Sequence, residues 1–437
     1  MPRKLAVRVL ERVLNEGAYS HIALDTELDH SGLDTRDKGL ATQLVYGTLT
    51  MLGPIDRILD KSLKKGVKRT DASMLSILRV AVYQLLFLDR IPAHAAINSA
   101  VELAREVNPR ASGFVNGVLR SIDRDRDNIT WWSESDRKKK PVRYLSQRYG
   151  MPSFVANRLV QQLGFERAEK ELFAMTMEQP PPLWARWRKE GDVPEDIASE
   201  RSEHLKSAIK LQGMSPETRA FLQEGALAVQ DVGSQLVGKM CGSLDGMRAL
   251  DTCAGLGGKS LHLLDAGAAH VTSVEPHGEK LNLLSALVKD EENKRFTGTV
   301  QEFASSYEGE PFDLVLVDAP CTGLGVLRRH PEGKERKREA DIGALAKLQA
   351  GILSEASQLV KPGGVLVYAV CSFTREEGSR QVERFLEAHP EFEVEQPPAH
   401  ADVEDWSRLI DESGYLRTWP GEHNADAFFA VRMRHKA

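Results

Sequence analysis

The chain has 437 residues, too many for one ordinary domain and enough to bury a large core. Hydrophobic residues make up 41% and charged residues 28%, and no run of about 18 apolar residues occurs, which excludes a disordered chain and a helical membrane span. The net charge of -5 by itself argues against a polyanionic partner, yet residues 1–140 carry 23 Lys+Arg against 18 Asp+Glu (+5) while the rest carries 35 against 45 (-10), so one end is suited to meet one.

Met1-Pro2-Arg3-Lys4 opens an amphipathic pattern rather than an apolar signal core, so no secretory address is expected. From residue 4 to about 125 the apolar residues keep helical spacing, as in Ala6, Val9, Leu10, Val13 and Leu14 before Gly17, and Leu75, Leu78, Val82, Leu85 and Leu86 before Pro92. This predicts a bundle of five to seven helices with a first boundary near residue 130, where the chain turns polar and charged. Residues 131–235 read as a small α+β connector, with a helical pattern around Tyr144 to Met175, a proline stop at Pro180 to Pro182 and a short strand at Leu183 to Arg188.

From residue 236 to 437 short β-rich runs alternate with helices. Strands are predicted at Met247 to Asp251, Val271 to Glu275, Gly298 to Gln301, Leu314 to Asp318 and Val365 to Val370, with helices at Ser260 to Leu264, Lys280 to Lys289, Ile342 to Leu359 and Glu377 to Ala388. That succession predicts a parallel, doubly wound α/β sheet, whose ligands bind at the carboxyl ends of the strands. Three basic stretches are candidates for phosphate contact: Lys61, Lys64, Lys65, Lys68 and Arg69; Arg137 to Lys140; and Lys334, Arg336, Lys337 and Arg338.

The segment Cys253, Ala254, Gly255, Leu256, Gly257, Gly258, Lys259 follows a strand and opens a helix, so its backbone can approach a ligand closely and offer unpaired N–H groups. A P-loop fails because Cys253 stands where its first glycine belongs, and the dinucleotide fingerprint fails because only Gly255 and Gly257 keep its spacing. A nucleoside ligand survives both tests, with Glu275 at the next strand end for its ribose hydroxyls. Both S-adenosylmethionine and a nicotinamide dinucleotide fit that pattern.

Four cysteines (Cys241, Cys253, Cys321 and Cys371) include no CxxC pair, so neither zinc nor a disulfide framework is expected and a reducing cytoplasm fits. Cys321, behind Asp318-Ala319-Pro320, and Cys371, behind Tyr368-Ala369-Val370, both end strands. A lone strand cysteine is usually a small core hydrophobe, but a pair at neighbouring strand ends suggests nucleophilic chemistry, with Arg328, Arg329 or Lys259 available to favour a thiolate. Thiolate addition to carbon 6 of cytosine makes carbon 5 nucleophilic, and a carboxyl group such as Asp318 near ring N3 would stabilise the adduct. Amino-group methyltransferases use an Asn/Asp-Pro-Pro-aromatic loop here, so Asp-Ala-Pro-Cys points away from them.

At these residues the catalytic half resembles the NOL1/NOP2/Sun family of RNA cytosine-5 methyltransferases, through Asp251 to Lys259, Phe312 to Gly323, Arg328-Arg329-His330-Pro331, Lys361 to Gly364 and Tyr368 to Ser372. The amino-terminal half is similar to the antitermination factor NusB, through Ala6 to Leu10, Gln43 to Gly47 and Ile91 to Ala95. The resemblance implies a NusB-like helical RNA-binding domain over 1–130, linker helices with an α+β RNA-binding subdomain over 131–235, and a Rossmann-like methyltransferase domain over 236–437. It also implies S-adenosylmethionine as cofactor, small-subunit (16S) ribosomal RNA as partner and a cytoplasmic protein; no metal site is expected, and no heptad seam demands an oligomer, so a monomer is expected. By motif position Cys371 would be the nucleophile and Cys321 a general acid or base. Cys253 to Lys259 would line the cofactor with Glu275 on its ribose, Glu302 would hold the adenine, and Asp318 would lie near both cofactor and base. Leu256 stands where the family usually has proline, Glu275 where it has aspartate, and Val370 where it has threonine. A transfer RNA cytosine-5 methyltransferase is the nearest rival within this chemistry. A non-catalytic RNA-binding factor is the rival from outside it.

Overall fold

The computed structural model describes residues 1–437 apart from 179, 190–192, 286, 287 and 289–291. It forms two compact units, one of residues 1–181 with 327–336 and the other of 182–326 with 337–437.

The first unit begins with seven α-helices: α1 (Pro2–Asn15), α2 (Ser20–Asp29), α3 (Thr35–Thr50), α4 (Leu52–Ser62), α5 (Ala72–Phe87), α6 (Ala93–Val107) and α7 (Ser112–Asp125). Asp34 and Asp71 start α3 and α5 by accepting backbone N–H groups of the first turn, which those turns cannot satisfy internally. The apolar stripe foreseen on α1 is buried, with Ala6, Val9 and Leu10 at 0% exposure, and α5 is buried along most of its length. Helices Asp136–Lys139, Pro141–Arg148, Ser153–Leu163 and Phe165–Thr176 complete this part.

The segment 327–336 is held in this unit by polar contacts to two helix ends and a loop. Lys334 Nζ donates to the carbonyl of Thr50, the last residue of α3, at 3.0 Å, and Arg336 donates to the carbonyls of Val13 and Ala18 at 2.8 and 2.7 Å. Two residues of the third basic stretch are therefore committed to backbone carbonyls rather than available to phosphates. Thr50 and Val13 lie in the last turns of their helices, whose carbonyls lack intrahelical donors, while Ala18 lies in the loop that follows α1.

The second unit contains two sheets. The smaller is antiparallel, in the order β2-β3-β1-β4, from β1 (Trp184–Trp187), β2 (Ala198–Arg201), β3 (Ala208–Leu211) and β4 (Leu227–Val229). The larger contains β5 (Arg248–Asp251), β6 (His270–Glu275), β7 (Asn293–Thr297), β8 (Phe312–Asp318), β9 (Val360–Val370), β10 (Phe392–Val394), β11 (Leu416–Arg417) and β12 (Phe429–His435), ordered β10-β12-β9-β8-β5-β6-β7 with β11 on β12. Strands β5 to β9 run parallel and form the expected doubly wound core, whereas β10, β11 and β12 add antiparallel pairings.

Most predicted elements appear with ends moved by a few residues; the helix expected over Lys280 to Lys289 is described from Gly278 to Ser285, and most of its remainder lies outside the described residues. One element changes type. The strand expected at Gly298 to Gln301 lies earlier, at Asn293–Thr297, and Val300–Ser306 is helical. Thr299 and Glu302 close a capping box, each side chain bonded to the other's backbone N–H, so this Thr-x-x-Glu spacing starts a helix where residue type alone suggested a strand.

Candidate active site

The strand order reverses direction between β5 and β8, and it is at the carboxyl ends of strands at such a switch point that doubly wound sheets bind ligands. Beyond β5, Gly255 (φ 55°) and Gly257 (φ 84°) take backbone angles that L side chains rarely adopt, and a Cβ on Gly257 would lie 2.7 Å from Leu284 Cδ1. The turn delivers the chain into the helix Gly258–Asp265. At the base of the turn the buried Asp251 accepts the Ser260 hydroxyl at 2.7 Å and the Cys253 N–H at 3.3 Å; burial raises its carboxyl pKa to about 6.

Glu275, 6% exposed at the end of β6, accepts Gly255 N–H on Oε2 and both His277 N–H and Lys280 Nζ on Oε1, each at 3.1 Å. One carboxylate thus ties the glycine turn to the next strand, and each oxygen has two lone pairs, so Oε2 can still accept a ribose hydroxyl. A glycine turn, a helix start and this carboxylate are the donor and acceptor set that a nucleoside requires. Glu302, in the helix that follows β7, accepts Thr299 N–H at 2.7 Å and Oγ1–H at 2.9 Å on Oε2, which closes the capping box.

Lys259 is nearly enclosed, with a side chain 9% exposed, and donates to Asp318 Oδ2 at 2.6 Å and to Ser234 Oγ at 3.0 Å, with the Phe428 ring 5.3 Å from its ammonium. Burial alone would lower its pKa, but Asp318 carries it above the ordinary value, so a cation is fixed here. Cys371 also lies within its electrostatic reach. Arg328 and Arg329, the other cations considered for this role, fold with the helical unit.

Cys321 and Cys371 leave the ends of adjacent strands β8 and β9 and meet with sulfurs 3.3 Å apart. The hydrogen bond to Cys371, with burial added, holds the Cys321 pKa well above its ordinary value, so Cys321 keeps its proton. Burial pushes Cys253 and Cys241 up to about 12, which leaves both as neutral thiols.

Sequence reasoning missed Glu377. Its side chain is 0% exposed and accepts Thr322 N–H (2.7 Å) and Gln349 Nε2 (3.2 Å) on Oε1, and the hydroxyls of Thr322 (2.6 Å), Ser372 (2.6 Å) and Thr374 (2.9 Å) on Oε2. Thr322 follows Cys321 and Ser372 follows Cys371, so one buried carboxylate joins the two thiol-bearing loops. Ser234 and Phe428, which bracket Lys259, were missed as well, because only folding brings them to it.

Two family descriptions match the chain: "16S rRNA methyltransferase RsmB/F" over residues 243–434 and "NusB family" over residues 1–124. A Mycobacterium tuberculosis protein named as a methyltransferase is 34% identical across 99% of this chain and 96% of its own length. The ribosomal RNA small subunit methyltransferase B of Shewanella oneidensis is 30% identical across 99% of this chain and 98% of its own. Among solved structures, PH0851 shares the fold over 99% of this chain and 98% of its own, with a TM-score of 0.81 at 24% identity. NSun6 from Pyrococcus horikoshii, solved with SFG, shares it over 65% of this chain and 98% of its own, with a TM-score of 0.53 at 16% identity. The glycine turn, the acid at the next strand end and nearly full-length likeness agree: the chain belongs to the RsmB/F family of 16S rRNA methyltransferases, S-adenosylmethionine-dependent RNA methyltransferases, and carries a NusB-family domain.

Proposed function

We propose that the protein methylates carbon 5 of a cytosine in small-subunit ribosomal RNA through a covalent adduct on Cys371, with Cys321 as its proton-transfer partner and Asp318 beside the base. The observation that carries this reading is the pair of thiols 3.3 Å apart at the mouth of a parallel sheet, beside the fixed cation Lys259. An amino-group methyltransferase needs neither thiol.

The residues that would hold the cofactor are Cys253 to Lys259, with Glu275 at the ribose. When bound, S-adenosylmethionine supplies the sulfonium methyl that the activated carbon 5 takes. Cys371 adds its sulfur to carbon 6 of a base flipped out of the RNA, and the displaced electron pair makes carbon 5 nucleophilic. Asp318, anchored by Lys259, would accept a hydrogen bond from ring N3–H in the adduct. After methylation the carbon 5 proton passes to water, the electron pair of that C–H bond reforms the ring double bond, and the carbon 6–sulfur bond breaks so that Cys371 departs as thiolate. Cys321 holds a proton next to the leaving sulfur, which suits it to assist that release and not to begin the reaction.

Labelled-methyl transfer to undermodified small-subunit ribosomal RNA tests this. Cys371→Ala is expected to abolish transfer and adduct, while Cys321→Ala accumulates an RNA-linked protein on denaturing gels. If Cys321→Ala is instead the variant without adduct, the two roles are reversed.

A further inference from the structure

In the helical unit three metal-ligating side chains converge, one of them in the Arg328-Arg329-His330-Pro331 motif and one directly after it. His21 is the second residue of α2; His330 and Glu332 belong to the segment 327–336. One donor atom from each lies within 4.8 Å of the other two, and the imidazole rings of His21 and His330 stand edge to face with centroids 5.2 Å apart. Glu332 is 3% exposed: its Oε1 accepts Ser20 N–H at 3.2 Å, and its Oε2 is buried without a hydrogen-bond partner. His21 Nδ1 is also buried and without one.

A buried acceptor left unpaired costs about 1–3 kcal/mol, so folded chains rarely leave two such atoms beside each other. A cation between them would satisfy both. We propose that His21, His330 and Glu332 bind one zinc ion, which clasps residues 330–332 to the start of α2. Two imidazoles and a carboxylate are a zinc ligand set, whereas calcium and magnesium favour all-oxygen shells. Zinc bonds of about 2 Å place tetrahedral ligand atoms roughly 3.3 Å apart, so side-chain movements of about an ångström close the site, with water as the fourth ligand. The Ser20 N–H on Oε1 is the outer contact that orients such a carboxylate and leaves Oε2 for the metal. Cysteine spacing gave no sign of this site, because none of its ligands is a cysteine and the two ligand segments are far apart in sequence.

The test uses the untagged full-length chain carrying Cys321→Ser and Cys371→Ser, so that the paired thiols do not take the metal. Equilibrium dialysis against zinc chloride is expected to give one ion per chain, zinc is expected to raise the melting temperature, and cobalt substitution to give the absorption of a nitrogen–oxygen tetrahedral site. His21→Asn and His330→Asn, each first shown to be folded by circular dichroism, are expected to weaken binding by about 10-fold or more and to remove the thermal shift. Glu332 is buried, so the histidine variants decide the matter. Absence of zinc binding at micromolar concentration, or binding unchanged in both histidine variants, overturns the proposal.

Discussion

Asp251 shows what burial does to a single residue in this site. Its carboxyl pKa rises to about 6 because the charged form is desolvated, with the Ser260 hydroxyl opposing the shift. Between the unfolded value near 3.8 and about 6 the folded chain therefore holds more protons than the unfolded one, so this group's contribution to stability is greatest below pH 4, falls as pH rises to about 6 and is flat beyond. Asn cannot ionise. Denaturant unfolding of Asp251→Asn and the parent from pH 4 to 8 is expected to show the variant gaining relative stability up to about pH 6, by about 1–3 kcal/mol, and then a constant difference. A difference that does not vary with pH would mean that Asp251 ionises normally. Asp251 was legible as part of a strand-end motif. Its altered ionisation was not, because spacing records no solvent exclusion.

At the scale of elements, strands β8 and β9 each deliver a thiol, and Glu377 joins the loops that follow them. Glu377 hydrogen-bonds the residues that follow the two cysteines; it is a positioning residue, and its variants separate alignment from folding. Glu377→Gln replaces one acceptor oxygen by a donor facing hydroxyl groups, and displacement of a reacting group by about 1 Å lowers turnover on the order of 100-fold. The expected result is a fall in kcat with the KM for RNA nearly unchanged, a shifted pH–rate profile, and partial recovery in Glu377→Asp. Equal losses in both variants together with a lowered melting temperature would assign Glu377 to folding alone. Nothing in the run Ser372-Phe373-Thr374-Arg375-Glu376-Glu377 marks the second glutamate over the first, since the distinction lies in which one faces inward. The misjudged strand at Gly298 to Gln301 has the opposite origin: the Thr-x-x-Glu signal was present and local, and was outweighed by residue type.

At the scale of the whole molecule, the excess of basic residues in the first 140 positions suits an RNA-methylating chain. Lys61, Lys64, Lys65 and Lys68 lie at and beyond the end of α4, where Arg57, Lys61, Lys68, Arg143, Trp131 and Trp132 line a cleft of about 1490 Å³. Replacing the four lysines by glutamine is expected to weaken RNA binding with little dependence on sequence, and to flatten the plot of log affinity against log salt by about 0.7–0.9 for each phosphate no longer neutralised. An unchanged slope would place the phosphates elsewhere. The third basic stretch illustrates why charge runs need a structure: Lys334 and Arg336 read as phosphate ligands but end on helix carbonyls.

The sequence by itself determined the helical first part, the parallel core of the second and the motifs at its strand ends, because these rest on hydrophobic period, glycine placement and short local patterns that need no partner. The added antiparallel strands, the 3.3 Å approach of Cys321 and Cys371, the inward turn of Glu377 and the meeting of His21 with Glu332 were decided by tertiary structure. Each depends on residues far apart in the chain and on the exclusion of water between them, and a linear pattern carries no record of either.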